Sequence, residues 1–170
     1  TANVTGLLFE DCVFNGADRV GYASAPGTCG IMMKDGTYTA TGLVIRRCLF
    51  RDLGKTQMDI GVLGMPYAII EDNVFAIDSN AGIGIYMADT TAVTIGKGYI
   101  IRKNDFIGPN MEVTISLTGT GVAIAGTEDT IAIGSIRNNY FSCLSTPITQ
   151  NKTTFGLINN YQGDSATGGT

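Results

Sequence analysis

The stretch Ile70-Glu71-Asp72-Asn73-Val74-Phe75 (IEDNVF) is one of a set. FEDCVF (9–14), IRRCLF (45–50), IRKNDF (101–106) and IRNNYF (136–141) keep the same frame, and LINNY (157–161) is a degenerate last copy. An apolar residue opens each copy: Phe9, Ile45, Ile70, Ile101, Ile136 and Leu157. Three residues on stands a marker that is either Cys or Asn: Cys12, Cys48, Asn73, Asn104, Asn139 and Asn160. Two residues later comes an aromatic, at Phe14, Phe50, Phe75, Phe106 and Phe141. The markers step by 36, 25, 31, 35 and 21 residues. A fixed phrase at variable spacing means a fixed strand–turn unit joined by loops of variable length. The apolar residues show no 3.6-residue recurrence, so a helical repeat is not supported.

Between the copies lie further short runs that mix Ile, Val and Met with Gly: GIMMKDGT (30–37), DIGVLGM (59–65), GIGIYMADT (82–90), GVAIAGTEDT (121–130) and TPITQNKTT (146–154). Two or three strands per circuit of chain, repeated every 20–36 residues or so, predict an all-β fold, a parallel β-solenoid of about six rungs. The Ile-x-x-Asn-x-Phe phrase at irregular spacing resembles the single-stranded right-handed parallel β-helix of pectate-lyase-like proteins and phage tailspikes. The resemblance covers nearly everything from Leu7 to Tyr161. It implies a β-helix domain over 1–162, with 163–170 as a polar tail or linker.

Stacking explains the phrase. Equivalent residues of successive rungs lie one strand spacing apart, about 4.8 Å. Stacked Asn side chains bond along their column, and Asn at the marker tolerates the backbone angles of a turn. The opening apolar column and the Phe column point inward. The two residues before the marker form charged columns: Glu10, Arg46, Glu71, Arg102, Arg137, and beside them Asp11, Arg47, Asp72, Lys103, Asn138, Asn159. Like charges in register destabilise and opposite charges help. The alternation therefore reads as an ion-pair ladder in which every carboxylate has a cation above or below, rather than as a row of catalytic acids. Cys12 and Cys48 fall on adjacent rungs, but in-register parallel side chains point the same way. They are expected to be free buried thiols that take the place of Asn.

The chain has 170 residues, a net charge of −4, 15% charged residues, four Cys and no His. The absence of His excludes a Ser-His-Asp triad, a Cys-His dyad and His-ligated metal. No CxxC pair is present, so a zinc ribbon is excluded, and no cofactor or metal set is expected. The acidic balance argues against nucleic acid, and no apolar run approaches a membrane span. The run GTGVAIAG (119–126) fails dinucleotide-loop spacing because Ile124 stands where the third Gly belongs, and IGKG (95–98) fails phosphate-loop spacing at Thr91.

One further acidic set, Asp35, Asp89, Glu128 and Asp129 with Asn151, sits at the polar turns of successive rungs. These are the candidate catalytic residues if the helix face hydrolyses a glycoside or cleaves an acidic polysaccharide. The competing reading is that Asp and Asn begin these turns by bonding their own backbone, and the rung containing Gly64 interrupts the row. Tyr22, Tyr38, Tyr67 and Tyr86 are candidates for a carbohydrate-facing surface. The resemblance to tailspikes implies a structural segment of a virion-surface or tail protein, a homotrimer or part of a larger assembly, presenting loops to a receptor or glycan. The alternative is a polysaccharide lyase or glycoside hydrolase. Free thiols fit assembly in a reducing cytoplasm before display at a virion surface or outside the cell. The start at Thr1 and the tail GDSATGGT read as parts of a longer polypeptide.

Overall fold

The computed structural model describes residues 4–15, 30–32, 40–51, 56–59, 67–76, 83–88, 99–108, 120–125, 134–142, 146–150 and 155–162. Among these every regular element is a β-strand, and the strands pair in parallel. Each copy of the phrase supplies two strands separated by a bend. Its first half gives Leu8–Glu10, Val44–Arg46, Ile69–Glu71, Tyr99–Arg102, Gly134–Arg137 and Phe155–Ile158, which lie side by side in one sheet in that order. Its second half gives Val13–Asn15, Leu49–Arg51, Val74–Ala76, Asp105–Ile107, Tyr140–Ser142 and Tyr161–Gln162, again in order, in a second sheet. The intervening segments supply a third sheet: Ile31–Met32, Thr56–Asp59, Ile83–Ala88, Thr120–Ala125 and Thr146–Gln150. A short pair, Val4–Thr5 with Ala40–Thr41, stands apart.

Parallel neighbours need a crossover. Here the crossover from one strand to its neighbour runs through the other sheets, an arrangement compatible with a β-solenoid. The register follows the phrase. Phe9 faces Ile45, Ile45 faces Ile70, Ile70 faces Ile101, and Ile101 faces Ile136. Phe14, Phe50, Phe75, Phe106 and Phe141 face one another in succession. Ile45, Ile70, Ile101, Ile136, Phe50, Phe75, Phe106 and Phe141 are buried, with Leu43, Ala68 and Ile85 beside them. Neighbouring Phe rings stack at centroid distances of 4.5 to 4.8 Å with interplanar angles of 6 to 10°, the strand spacing transferred to side chains.

The bend within each phrase differs in one respect from the sequence expectation. The left-handed residue is not the marker but the residue before it: Asp11, Arg47, Asp72, Lys103, Asn138 and Asn159 have φ between 46 and 54°. The marker must aim its side chain inward to bond along the column, so its exposed neighbour makes the turn. A second bend lies six residues before the marker, where Gly6 and Gly42 have φ of 71 and 68° and Tyr67 holds the same conformation at 64°. Nothing lies within 4 Å of a Cβ built on either glycine, so backbone conformation rather than space favours Gly there. In the third sheet the described strand starts earlier than the apolar run DIGVLGM, at Thr56–Asp59; residues 60–66 lie outside the described residues.

Candidate functional site

The chemistry-bearing side chains of the phrase gather into a buried amide column and two ionic columns, the first half-buried and the second exposed. Asn73, Asn104 and Asn139 are buried. The N–H and Nδ2 of Asn73 both donate to Asn104 Oδ1 at 3.0 Å, and those of Asn104 both donate to Asn139 Oδ1 at 3.0 Å. Asn139 repeats this toward Asn160 Oδ1 at 3.2 and 3.0 Å. Each Nδ2 also reaches a carbonyl of the preceding copy: Asn73 to Ile45 at 3.0 Å, Asn104 to Ile70 at 2.9 Å, Asn139 to Ile101 at 3.0 Å and Asn160 to Ile136 at 2.9 Å. Both polar ends of every buried amide are thus satisfied, as burial demands.

At the first two copies thiols replace the amides, and both are free. Cys48 N–H donates to Asn73 Oδ1 at 2.9 Å, so the ladder begins there. Burial pushes the Cys48 thiol above its usual pKa. Cys29 and Cys143 lie outside the described residues.

The ionic columns are on the outside. Arg46 Nε meets Glu10 Oε1 at 2.7 Å, Arg47 Nε meets Asp11 Oδ1 at 2.8 Å, and Arg47 Nη2 bonds both Asp11 Oδ2 at 3.0 Å and Glu10 Oε1. Arg102 holds Glu71 Oε2 through Nη2 at 2.6 Å and Nε at 2.7 Å. Hydrogen bonds from Arg46 and then Arg47 hold the Glu10 carboxyl below its ordinary value, and Arg47 does the same for Asp11. Hydrogen bonds to Asp11 and then Glu10 in turn raise the Arg47 guanidinium further above its already high range. In each of these pairs the arginine leans toward the preceding copy. Among the described residues the side chains of Asp72 and Lys103 form no ion pair, although the charge alternation anticipates a partner for every acid. Arg47, the cation one copy before Asp72, is fully engaged by Glu10 and Asp11. Carboxylates clamped by guanidinium groups hold their negative charge and make poor proton donors at neutral pH.

The candidate acids Asp35, Asp89, Glu128 and Asp129 lie outside the described residues, as do Tyr22, Tyr38 and Asn151. Tyr67 is exposed. Two further exposed tyrosines, Tyr140 and Tyr161, were not singled out by the sequence reading; they are partners in register in the second sheet. Their signal was the alternation itself, since each follows its marker directly and so points opposite to the buried Phe column. Among the described residues no group of three or more Cys, Asp or Glu is placed to hold a metal ion, and no helix is long and apolar enough to cross a membrane. No family model matches the chain, and neither a curated protein nor a solved structure matches it.

Proposed function

We propose that the chain is a right-handed parallel β-helix of about six rungs that serves as a structural segment of a virion-surface or tail protein, assembled as a homotrimer and presenting its loops to a receptor or glycan. The observation that carries this reading is the apolar character of the outer faces. In the first sheet Leu8, Val44, Ile69 and Ile100 follow one another outward, in register. In the second, Val13, Leu49 and Val74 do so, the exposed Asp105 interrupts the row, and beyond it Tyr140 lies beside Tyr161. Val13 is 61% exposed and Tyr161 65%. Leu8, Val13, Tyr140 and Tyr161 are exposed and the others half-buried, and outward apolar residues on consecutive rungs support an interaction surface. A trimer covers such faces, while the internal columns hold each subunit rigid. The charged part of the phrase supports a structural role as well, because Glu10, Asp11 and Glu71 are engaged by arginines.

Sedimentation equilibrium of the full chain tests the assembly: a concentration-independent trimer is expected, and a monomer at micromolar concentration overturns it. Incubation with acidic polysaccharides, followed by assays for unsaturated products and new reducing ends, tests the catalytic alternative. Product release would replace the structural reading with a lyase or hydrolase.

A further inference from the structure

The asparagine column ends, toward the N-terminal copies, in two thiols. Leu49 N–H donates to Cys12 O at 2.9 Å, and Val13 faces Leu49 in register, so Cys12 and Cys48 occupy successive levels of one column. Their side chains share one setting: Cys12 Sγ lies 3.2 Å from Glu10 O, and Cys48 Sγ lies 3.2 Å from Arg46 O. Side chains in the same setting on neighbouring parallel strands hold equivalent atoms one strand spacing apart, about 4.7–4.9 Å. Cys48 is 2% exposed and Cys12 is half-buried, so solvent reaches the pair through Cys12.

This spacing separates two chemistries. A disulfide requires Cβ atoms within about 3.5–4.5 Å, whereas translation along the stack keeps them a full strand spacing apart. A metal–thiolate bond is about 2.3 Å long, so two in line span about 4.6 Å. Soft thiolates select Cu(I), and two of them suit a linear d10 centre. We propose that Cys12 and Cys48 form a two-coordinate bis-thiolate site for Cu(I). On loading, two S–H bonds break and two Cu–S bonds form. Both protons pass to solvent, copper stays Cu(I), and no electron moves. The resulting centre carries one net negative charge.

The test supplies Cu(I) to the full reduced chain under anaerobic conditions from a bicinchoninate-buffered pool. The expected result is one retained copper per chain, with sulfur-only, two-coordinate X-ray absorption. That equivalent persists in the Cys29→Ser/Cys143→Ser double variant and is lost in Cys12→Ser. Cys48→Asn also loses it while keeping the fold, because Asn at 48 extends the ladder: its Oδ1 accepts from Cys12 N–H, and its Nδ2 takes over the bond that Cys48 Sγ makes to Phe9 O at 3.7 Å. Circular dichroism and Tm verify folding of each variant. Copper that survives Cys12→Ser or Cys48→Asn, or disappears with Cys29 and Cys143, overturns the assignment. A Cys12–Cys48 disulfide, detected by mass spectrometry after mild treatment with glutathione disulfide, overturns the spacing argument.

Discussion

The buried amide column and the exposed ionic columns run side by side through the same phrase, one residue apart, and they solve the same problem differently. Both must place identical positions of successive copies one strand spacing apart. The amide does so with like residues, because Asn carries a donor and an acceptor and each side chain answers the next. Like charges in register repel, so the ionic columns alternate in sign through the first four copies, after which Arg137 follows Arg102. Burial makes the amide bonds costly to lose. Solvent makes the ionic ones weak and salt-dependent.

Substitutions rank the two solutions. Phe75, buried between two stacked rings, measures the apolar stack on which both depend. Phe75→Ala should cost about 4 kcal/mol in urea unfolding, within the usual range for a buried aromatic. Asn104→Leu keeps the branched shape but orphans the Asn73 N–H and removes the amide donor to Ile70 O. At about 1–3 kcal/mol per unsatisfied buried group, a loss of about 3 kcal/mol is expected, largely insensitive to salt.

Arg46→Glu with Arg47→Asp reverses every pair made to Glu10 and Asp11. The Tm should fall at low salt by less than for Asn104→Leu and should recover in about 1 M salt, where the Debye length is about 3 Å. A Tm unchanged at low salt would show that the ionic columns contribute nothing. The same pairs contribute to the acid limb. Glu10 and Asp11 have folded-state pKa values lowered from ordinary values of 4.5 and 3.8. Their contribution is therefore present above about pH 4.5 and is lost as pH falls through the lower folded-state values. Glu10→Gln with Asp11→Asn should flatten the acid side of the Tm–pH curve.

The smallest effect has the opposite sign. Lys103 makes its bend with φ of 53°, a conformation that costs an ordinary L-residue roughly 1–2 kcal/mol. Lys103→Asn, the residue type that later copies use there, should raise stability by up to about 1 kcal/mol, and a loss would show that the lysine makes a compensating contact.

The sequence by itself determined the strand content, the inward and outward sides of the phrase and the register, because one invariant spacing from apolar residue to marker to Phe aligns every copy with every other. It also carried the sign alternation, since a column of like charges is unstable in any parallel stack. Tertiary structure decided what the spacing leaves free. The left-handed bend falls on Asp11, Arg47 and their equivalents rather than on the marker, because the marker's side chain is needed inside. Arginines lean toward the preceding copy, and Arg47 spans two acids there, while among the described residues Asp72 and Lys103 form no ion pair. These features depend on where each side chain reaches once the strands are stacked, which the spacing of the phrase does not specify.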